Sequence, residues 1–309
     1  MLHINDLTYR IEGRAILENA TAAIPEGHKV GLVGRNGAGK TTLLRLLKGE
    51  IAPDDGSITT PKNIRIGHVA QEAPGGEQSL IAWVLGADSE RASLLAEAES
   101  AGDPHRIAEI QIRLADIGAH TAPARAAQIL AGLGFDEEAQ QRACRDFSGG
   151  WRMRVALAAV LFLEPEILLL DEPTNYLDLE GTLWLEAHLK SYPHTVLMVS
   201  HDRDLLNRAV ASILHLERGK LTLYKGDYDK AYEAVEAALA TAPGHERALV
   251  TRVKIDLRRA KPDEPTLRAW LAEVERVAQT GNLHLKGFAL EQIAEINEML
   301  ADYPAAFAT

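Results

Sequence analysis

The sequence predicts an α/β fold built on a buried parallel sheet and followed by an all-helical C-terminal tail. Three observations carry this reading. A glycine-rich loop at residues 34–42 joins the apolar run Val30-Gly31-Leu32-Val33 to a helical stretch. Two further apolar runs, Ile167 to Leu170 and Val196 to Ser200, stand between helical segments, as strands covered on both faces do. After Gly226 the strand patterning stops and the composition turns helical.

The elements follow in order. Residues 1–33 alternate with period 2 through Leu2, Ile4, Ile16 and Leu17, with turns at Glu12-Gly13 and Pro25-Glu26-Gly27. A helix is expected from Lys40 to Leu47, then strands over Gly56 to Thr60 and Ile64 to Ala70. From Ser89 to Leu133 the period becomes helical. Leu94, Leu95 and Ala98, then Ile107, Ile110, Leu114 and Ile117, then Ala126, Ile129 and Leu130 mark three helices. Gly102-Asp103-Pro104 and Thr121-Ala122-Pro123 separate them, with Asp103 and Thr121 as N-caps. Another helix fits 149–163. In the tail, Ala231, Ala234, Val235 and Ala238 share one face. So do Leu267, Trp270, Leu271, Val274 and Val277, and later Ala289, Ile293, Ile296 and Leu300. The domain boundary is expected at 226–230, giving domains 1–228 and 229–309, with helices gathered at about 74–160.

Length and charge narrow the function. The chain has 309 residues, more than one average domain, with 46% hydrophobic and 25% charged residues, which excludes disordered and fibrous classes. Its net charge of −11 argues against gripping nucleic acid or anionic lipid by charge alone. One cysteine, Cys144, allows no internal disulfide and fits a reducing compartment. The longest uncharged apolar run, Val155 to Leu163, is nine residues, far short of the roughly 20 a membrane helix needs. Met1 to Asp6 carries neither a basic region nor an apolar core, so no signal peptide is read there and a cytoplasmic location is expected.

Gly34-Arg35-Asn36-Gly37-Ala38-Gly39-Lys40-Thr41-Thr42 matches the phosphate-loop pattern in its required setting, after a strand and at a helix start. Its glycines turn backbone N–H groups inward, and the helix N-terminus adds partial positive charge. Lys40 is placed to reach the β- and γ-phosphates of ATP, and Thr41 to hold Mg²⁺. The alternative is a plain glycine-rich turn. Ile167 to Leu170 ends in Asp171 and Glu172, at the strand end where ligands collect in open α/β sheets. Asp171 can then hold Mg²⁺, and Glu172 can orient and deprotonate a water. Alone, such a pair would more often be solvated acids. Ser148 before Gly149 and Gly150 can cap the next helix and leave a second anion site at its bare N–H groups.

The order GRNGAGKTT, Gln71, FSGGW, ILLLDEPTN, Leu177-Asp178 and Ser200-His201-Asp202 resembles the ATP-binding cassette (ABC) ATPases. FSGGWRMR, DEPTNYLD and SHDRDLLN resemble the ABC-F group in particular, over Met1 to Gly226, about 73% of the chain. The resemblance implies a P-loop NTPase: a RecA-like core with an antiparallel β subdomain and a helical subdomain. It implies that Gln71 stands at Mg²⁺ and the water, and that His201 senses the γ-phosphate. Ser148, Gly149 and Gly150 would belong to a signature motif closing over the ATP of a second cassette, with Asp178 in the loop beside it. ABC-F proteins of this kind are associated with ribosomes and translation.

This sequence departs from the group in three places. Tyr176 stands where ABC-F proteins usually carry His. The adenine-stacking residue is either Tyr9 or a residue nearer Ile11, and core packing is the alternative for Tyr9. The group continues past Gly226 into a long basic helical linker and a second cassette. Residues 229–309 instead hold 10 Lys or Arg and 13 Asp or Glu. Within them the cluster Arg247, Arg252, Lys254, Arg258, Arg259 and Lys261 reads as a solvated helix face before RNA contact. Ala231, Val235, Ala238 and Pro243 have the spacing of half a tetratricopeptide repeat. Three functions compete: an ABC-F ATPase acting in translation, the nucleotide-binding subunit of a membrane transporter, and an ATP-gated interaction module with little hydrolysis alone.

Overall fold

The computed structural model describes residues 1–69, 74–200, 202–226, 252–253, 256, 263–280, 289–290, 292–293, 296–297 and 300. The chain divides into two compact units, Met1–Asp227 and Tyr228–Thr309.

In the first unit, β1 (Leu2–Ile11), β2 (Arg14–Ile24) and β4 (Asp55–Thr59) form a three-stranded antiparallel sheet ordered β2-β1-β4. Leu2 and Ile4 at the start of β1, and Ala20, Ala22 and Ile24 at the end of β2, are buried and alternate with more exposed neighbours, as in one-faced sheets. The second sheet is ordered β5-β6-β7-β3-β8-β9, from β5 (Ile66–His68), β6 (Ile167–Asp171), β7 (Thr195–Val199), β3 (Lys29–Val33), β8 (Ser212–Glu217) and β9 (Lys220–Lys225). All pairings are parallel except β8 with β9. β7 is buried at every position and β6 at all but Asp171, which is why both read as unbroken apolar runs.

Helix α1 (Lys40–Leu47) buries Leu43, Leu44, Leu46 and Leu47 in one core shared with both sheets. At about 1.5–3 kcal/mol for each buried leucine, this burial fixes the helix that carries the end of the glycine loop. Helices α2 (Leu80–Gly86), α3 (Ser89–Ser100), α4 (Pro104–Asp116), α5 (Ala122–Gly132), α6 (Glu137–Gln141) and α7 (Gly149–Leu163) follow β5. The α3–α4 hairpin has a small core of its own, around Ile110, Leu114 and Ala119. α8 (Leu179–Ser191) and α9 (Arg203–Ala209) alternate with the later strands.

Aspartates start many of these helices. Asp88, Asp103, Asp136, Asp178 and Asp202 each accept a first-turn N–H. Thr121 occupies a cap position but makes no cap bond. Its hydroxyl donates instead to the Gly118 carbonyl at 3.0 Å, because its backbone is already helical and turns the side chain away from the N–H groups. The expected strand over Ile64 to Ala70 shortens to Ile66–His68.

In the second unit, the helix Glu264–Thr280 buries Leu267, Val274 and Val277 together with Val253, Ala289 and Ile296. Trp270, Leu271, Ile293 and Leu300 pack partly against them, so the two later apolar faces belong to one core. The face through Ala231 and Ala238, the half-repeat ending at Pro243, and Arg247, Lys254, Arg258, Arg259 and Lys261 lie outside the described residues. Among the described residues no helix is long and apolar enough to cross a membrane.

Candidate functional site

The site forms where three parallel strands end together. Val199 of β7 lies opposite Leu32 of β3 and Asp171 of β6. The glycine loop leaves β3 two strand spacings, about 9.6 Å, from the acidic end of β6. α1 spans that gap: Thr41 Oγ1 donates to Asp171 Oδ2 at 3.1 Å, across 130 positions of sequence.

The loop itself needs its glycines. Gly37 and Gly39 hold φ of 76° and 104°, conformations open mainly to glycine. A Cβ at Gly39 would stand 2.4 Å from Ile16 Cγ2, and one at Gly34 would stand 2.5 Å from the Leu216 carbonyl oxygen. Asn36 is exposed at the tip, Thr42 is half-buried, and Ala38 packs partly against the core. Lys40 Nζ donates to the Gly34 and Arg35 carbonyls at 2.9 and 3.2 Å. The lysine is thereby drawn over the loop it would share with a phosphate.

The donor set fits Mg²⁺ with a nucleotide phosphate. Thr41 and Asp171 supply hard oxygens, and Mg²⁺ is typically held by one or two carboxylates plus substrate phosphates. Among the described residues no cluster of three or more histidine, cysteine, aspartate or glutamate side chains forms a metal cage. Glu172 follows in a left-handed conformation, φ 49° and ψ 55°, and its N–H donates to the Val199 carbonyl at 2.9 Å. This turn separates the direction of Glu172 from that of Asp171, so two adjacent carboxylates can take two tasks. A cleft of about 450 Å³ opens beside them, lined by Thr41, Asp171 and Glu172 on one side and by Met153 and Arg154 of α7 on another.

Not every expected residue gathers here. Ser148 stands at the start of α7 in the extended N-cap conformation, yet its hydroxyl makes no cap bond. Ser148 and Gly149 are exposed and Gly150 half-exposed, so the first-turn N–H groups face outside acceptors. None of the three lines the cleft. Tyr9 pairs with Leu17 and packs partly against the core, while Ile11 is 46% exposed. Register shifts in β1 on both sides of Tyr9 break the strict alternation that would put Tyr9 and Ile11 on one face. Gln71 and His201 lie outside the described residues.

Asp178 is occupied locally. Its carboxylate accepts from Gly181 N at 2.9 Å and from Arg154 Nη1 at 3.0 Å. The Gly181 N–H first, and then Arg154, hold its pKa below the ordinary aspartate value. Arg154 has no assigned role among the sequence expectations, although it closes the motif FSGGWRMR and stands directly before the apolar run Val155 to Leu163.

A family model described as "ABC transporter" matches residues 17–175. "Probable ATP-binding protein YheS" of Escherichia coli is 44% identical over 252 residues, covering 81% of this chain and 39% of that protein. "ATP-binding cassette sub-family F member 3" of Homo sapiens is 44% identical over 227 residues, covering 70% of this chain and 31% of that protein. The chain thus spans well under half the length of these relatives. Among solved structures, an ATP-binding subunit of an ABC transporter superposes with a TM-score of 0.57 at 20% identity, covering 76% of this chain and 92% of that one. A dimeric cassette in a post-hydrolysis state, bound to ADP and phosphate, superposes at 0.53 and 22% identity, covering 73% and 98%. At these identities the structures speak for the fold, a P-loop NTPase cassette, while the family match and the relatives decide membership. The chain belongs to the ATP-binding cassette family, and its relatives within that family are YheS and the F-family members.

Proposed function

We propose that this chain binds ATP and hydrolyses it to ADP and phosphate, and that it does so by closing on a second cassette. The observation that carries the reading is the Thr41–Asp171 contact at 3.1 Å beneath the glycine loop, with Glu172 next in sequence. The backbone N–H groups of 34–42, with Lys40, take the phosphates. Thr41, Asp171 and, by the family resemblance, Gln71 are assigned to Mg²⁺, which would offset phosphate charge. Glu172 takes a proton from the attacking water as the new P–O bond forms and the bond to the leaving ADP oxygen breaks. His201 is assigned the γ-phosphate contact. Ser148, Gly149, Gly150 and Asp178 serve the nucleotide of the second cassette, and Tyr9 remains the proposed adenine neighbour. Residues 1–228 form the ATP-binding domain, with a helical subdomain at about 74–160. Residues 229–309 are assigned as a separable helical tail that tunes partner binding.

Two variants separate binding from chemistry. Glu172→Gln is expected to keep ATP affinity and to lose about 10²-fold or more in hydrolysis. Lys40→Ala is expected to lose binding itself. With Mg-ATP, light scattering should find Glu172→Gln as a dimer and the nucleotide-free chain as a monomer. Hydrolysis at the parent rate by Glu172→Gln would remove Glu172 as the base, and a strictly monomeric variant at micromolar concentration would count against homodimeric closure.

The resemblance of FSGGWRMR, DEPTNYLD and SHDRDLLN to the ABC-F group supports the first reading, a cytoplasmic role in translation at the ribosome. The description of the family model favours the second reading, a transporter's nucleotide-binding subunit. Co-sedimentation with ribosomes against co-purification with membranes separates the two. Hydrolysis too slow to measure in the parent would favour the gated interaction module.

A further inference from the structure

Arg154 stands in α7 directly before its apolar run Val155 to Leu163, and its side chain is only 9% exposed. A buried guanidinium persists where its N–H groups find acceptors. Here the acceptors come from separate segments. Nε donates to the Tyr176 carbonyl at 2.6 Å, and Nη1 donates to Asp178 Oδ2 at 3.0 Å and to the Leu133 carbonyl at 3.2 Å. The guanidinium carbon sits 4.1 Å from the centroid of the Trp151 ring.

The surroundings are shaped to admit it. Gly134 holds φ 96°, and a Cβ there would come within 3.1 Å of Arg154 Nη1. Trp151 meets Phe135 edge-on at 5.1 Å, and Phe135 meets Phe147 at 5.7 Å. One side of the guanidinium therefore grips the turn Tyr176–Asp178, and the other rests on the first turn of α7. A lysine does not copy this arrangement, because its compact ammonium has neither the two separated donor nitrogens used here nor a planar face to lie on an indole.

We propose that Arg154 is a positioning residue that locks the Tyr176–Asp178 turn to the first turn of α7, so that both reach a second cassette as one body. This rests on the reading of the chain as a closing cassette, but the lock itself can be tested without nucleotide. Amide hydrogen exchange of the full chain is the measurement. In Arg154→Met, exchange over residues 174–181 should quicken by about tenfold or more, while α1 and the parallel sheet keep the parent rates. Arg154→Lys should fall between the two. Unchanged exchange over 174–181 in Arg154→Met would overturn the proposal. So would quickening spread evenly over the first unit, the mark of a general loss of stability, or full recovery in Arg154→Lys. Should Arg154→Met fail to fold, Asp178→Asn keeps the helix cap and removes only the ion pair. Its exchange should rise about threefold in the same segment alone, and no rise there would overturn the lock.

Steady-state kinetics give the second readout. Arg154→Met should lose about tenfold or more in kcat with KM for ATP unmoved, because the lock touches none of the loop that binds the phosphates. Parent-like kcat in Arg154→Met would overturn the role in closure. A parent chain without hydrolysis would instead refute the catalytic reading and leave the exchange result to decide the lock.

Discussion

Gly39 is the point where the nucleotide loop can be perturbed with a calculable effect. Its backbone holds φ 104° and ψ 17°, and a non-glycine residue in left-handed backbone costs about 1–2 kcal/mol. The added methyl of Gly39→Ala would also stand 2.4 Å from Ile16 Cγ2, and such overpacking costs typically about 1–3 kcal/mol. The expected loss of stability is therefore about 2–5 kcal/mol, the sum of these two effects. Ile16→Ala removes the obstructing methyl. In that background Gly39→Ala should cost only the backbone part, leaving a coupling of about 1–3 kcal/mol between the two positions. Urea unfolding of the parent, both single variants and the double variant, followed by circular dichroism, measures all four corners of the cycle. The displaced loop should also bind ATP at least about tenfold more weakly, equivalent to roughly 1.4 kcal/mol. Equal costs of Gly39→Ala in both backgrounds, within about 0.5 kcal/mol, would refute the contact with Ile16 as the cause.

Two further outcomes follow from packing and burial. A Cβ at Gly132 would lie 2.0 Å from Trp184 Cε2, so Gly132→Ala must push the indole away from α5. A loss of about 1–3 kcal/mol is expected, and a melting temperature equal to the parent's would contradict the close approach. His188 stacks on Trp184 at 4.9 Å with Nε2 buried and without a hydrogen-bond partner. Burial pushes its pKa below the ordinary 6.5, and the charge of Glu164 opposes this only in part. The unfolded chain then takes up the proton before the folded one does. The stability is whole above pH 6.5 and declines as pH falls from there toward the folded-state value. His188→Gln should flatten that decline in urea midpoints measured between about pH 7.5 and 5.5, and an unchanged slope would exonerate this histidine.

Local signals were read well from the sequence. α1 and α7 begin and end at the expected residues, Lys40–Leu47 and Gly149–Leu163. Asp103 caps its helix as its position before proline implied. Thr121 and Ser148 occupy cap positions without cap bonds, because residue type sets the opportunity and local backbone and side-chain rotation decide its use. Tyr9 and Ile11 illustrate a different limit. Strict alternation predicts one face for both, but irregular register in β1 parts them, and such a bulge follows from pairing with a partner strand.

The sequence by itself determined the cradle and the order of the motifs. Nine consecutive residues, Gly34 to Thr42, carry the glycines, the lysine and the hydroxyl, and their demands on φ and on backbone N–H groups are local. Tertiary structure alone decided which distant groups meet. Thr41 reaches Asp171 because β7 inserts between β3 and β6 and aligns their ends. Arg154 meets Tyr176, Asp178 and Leu133 because α7 packs where three segments converge. Strand order and helix packing are set by burial summed over the whole core, which no short window of sequence contains.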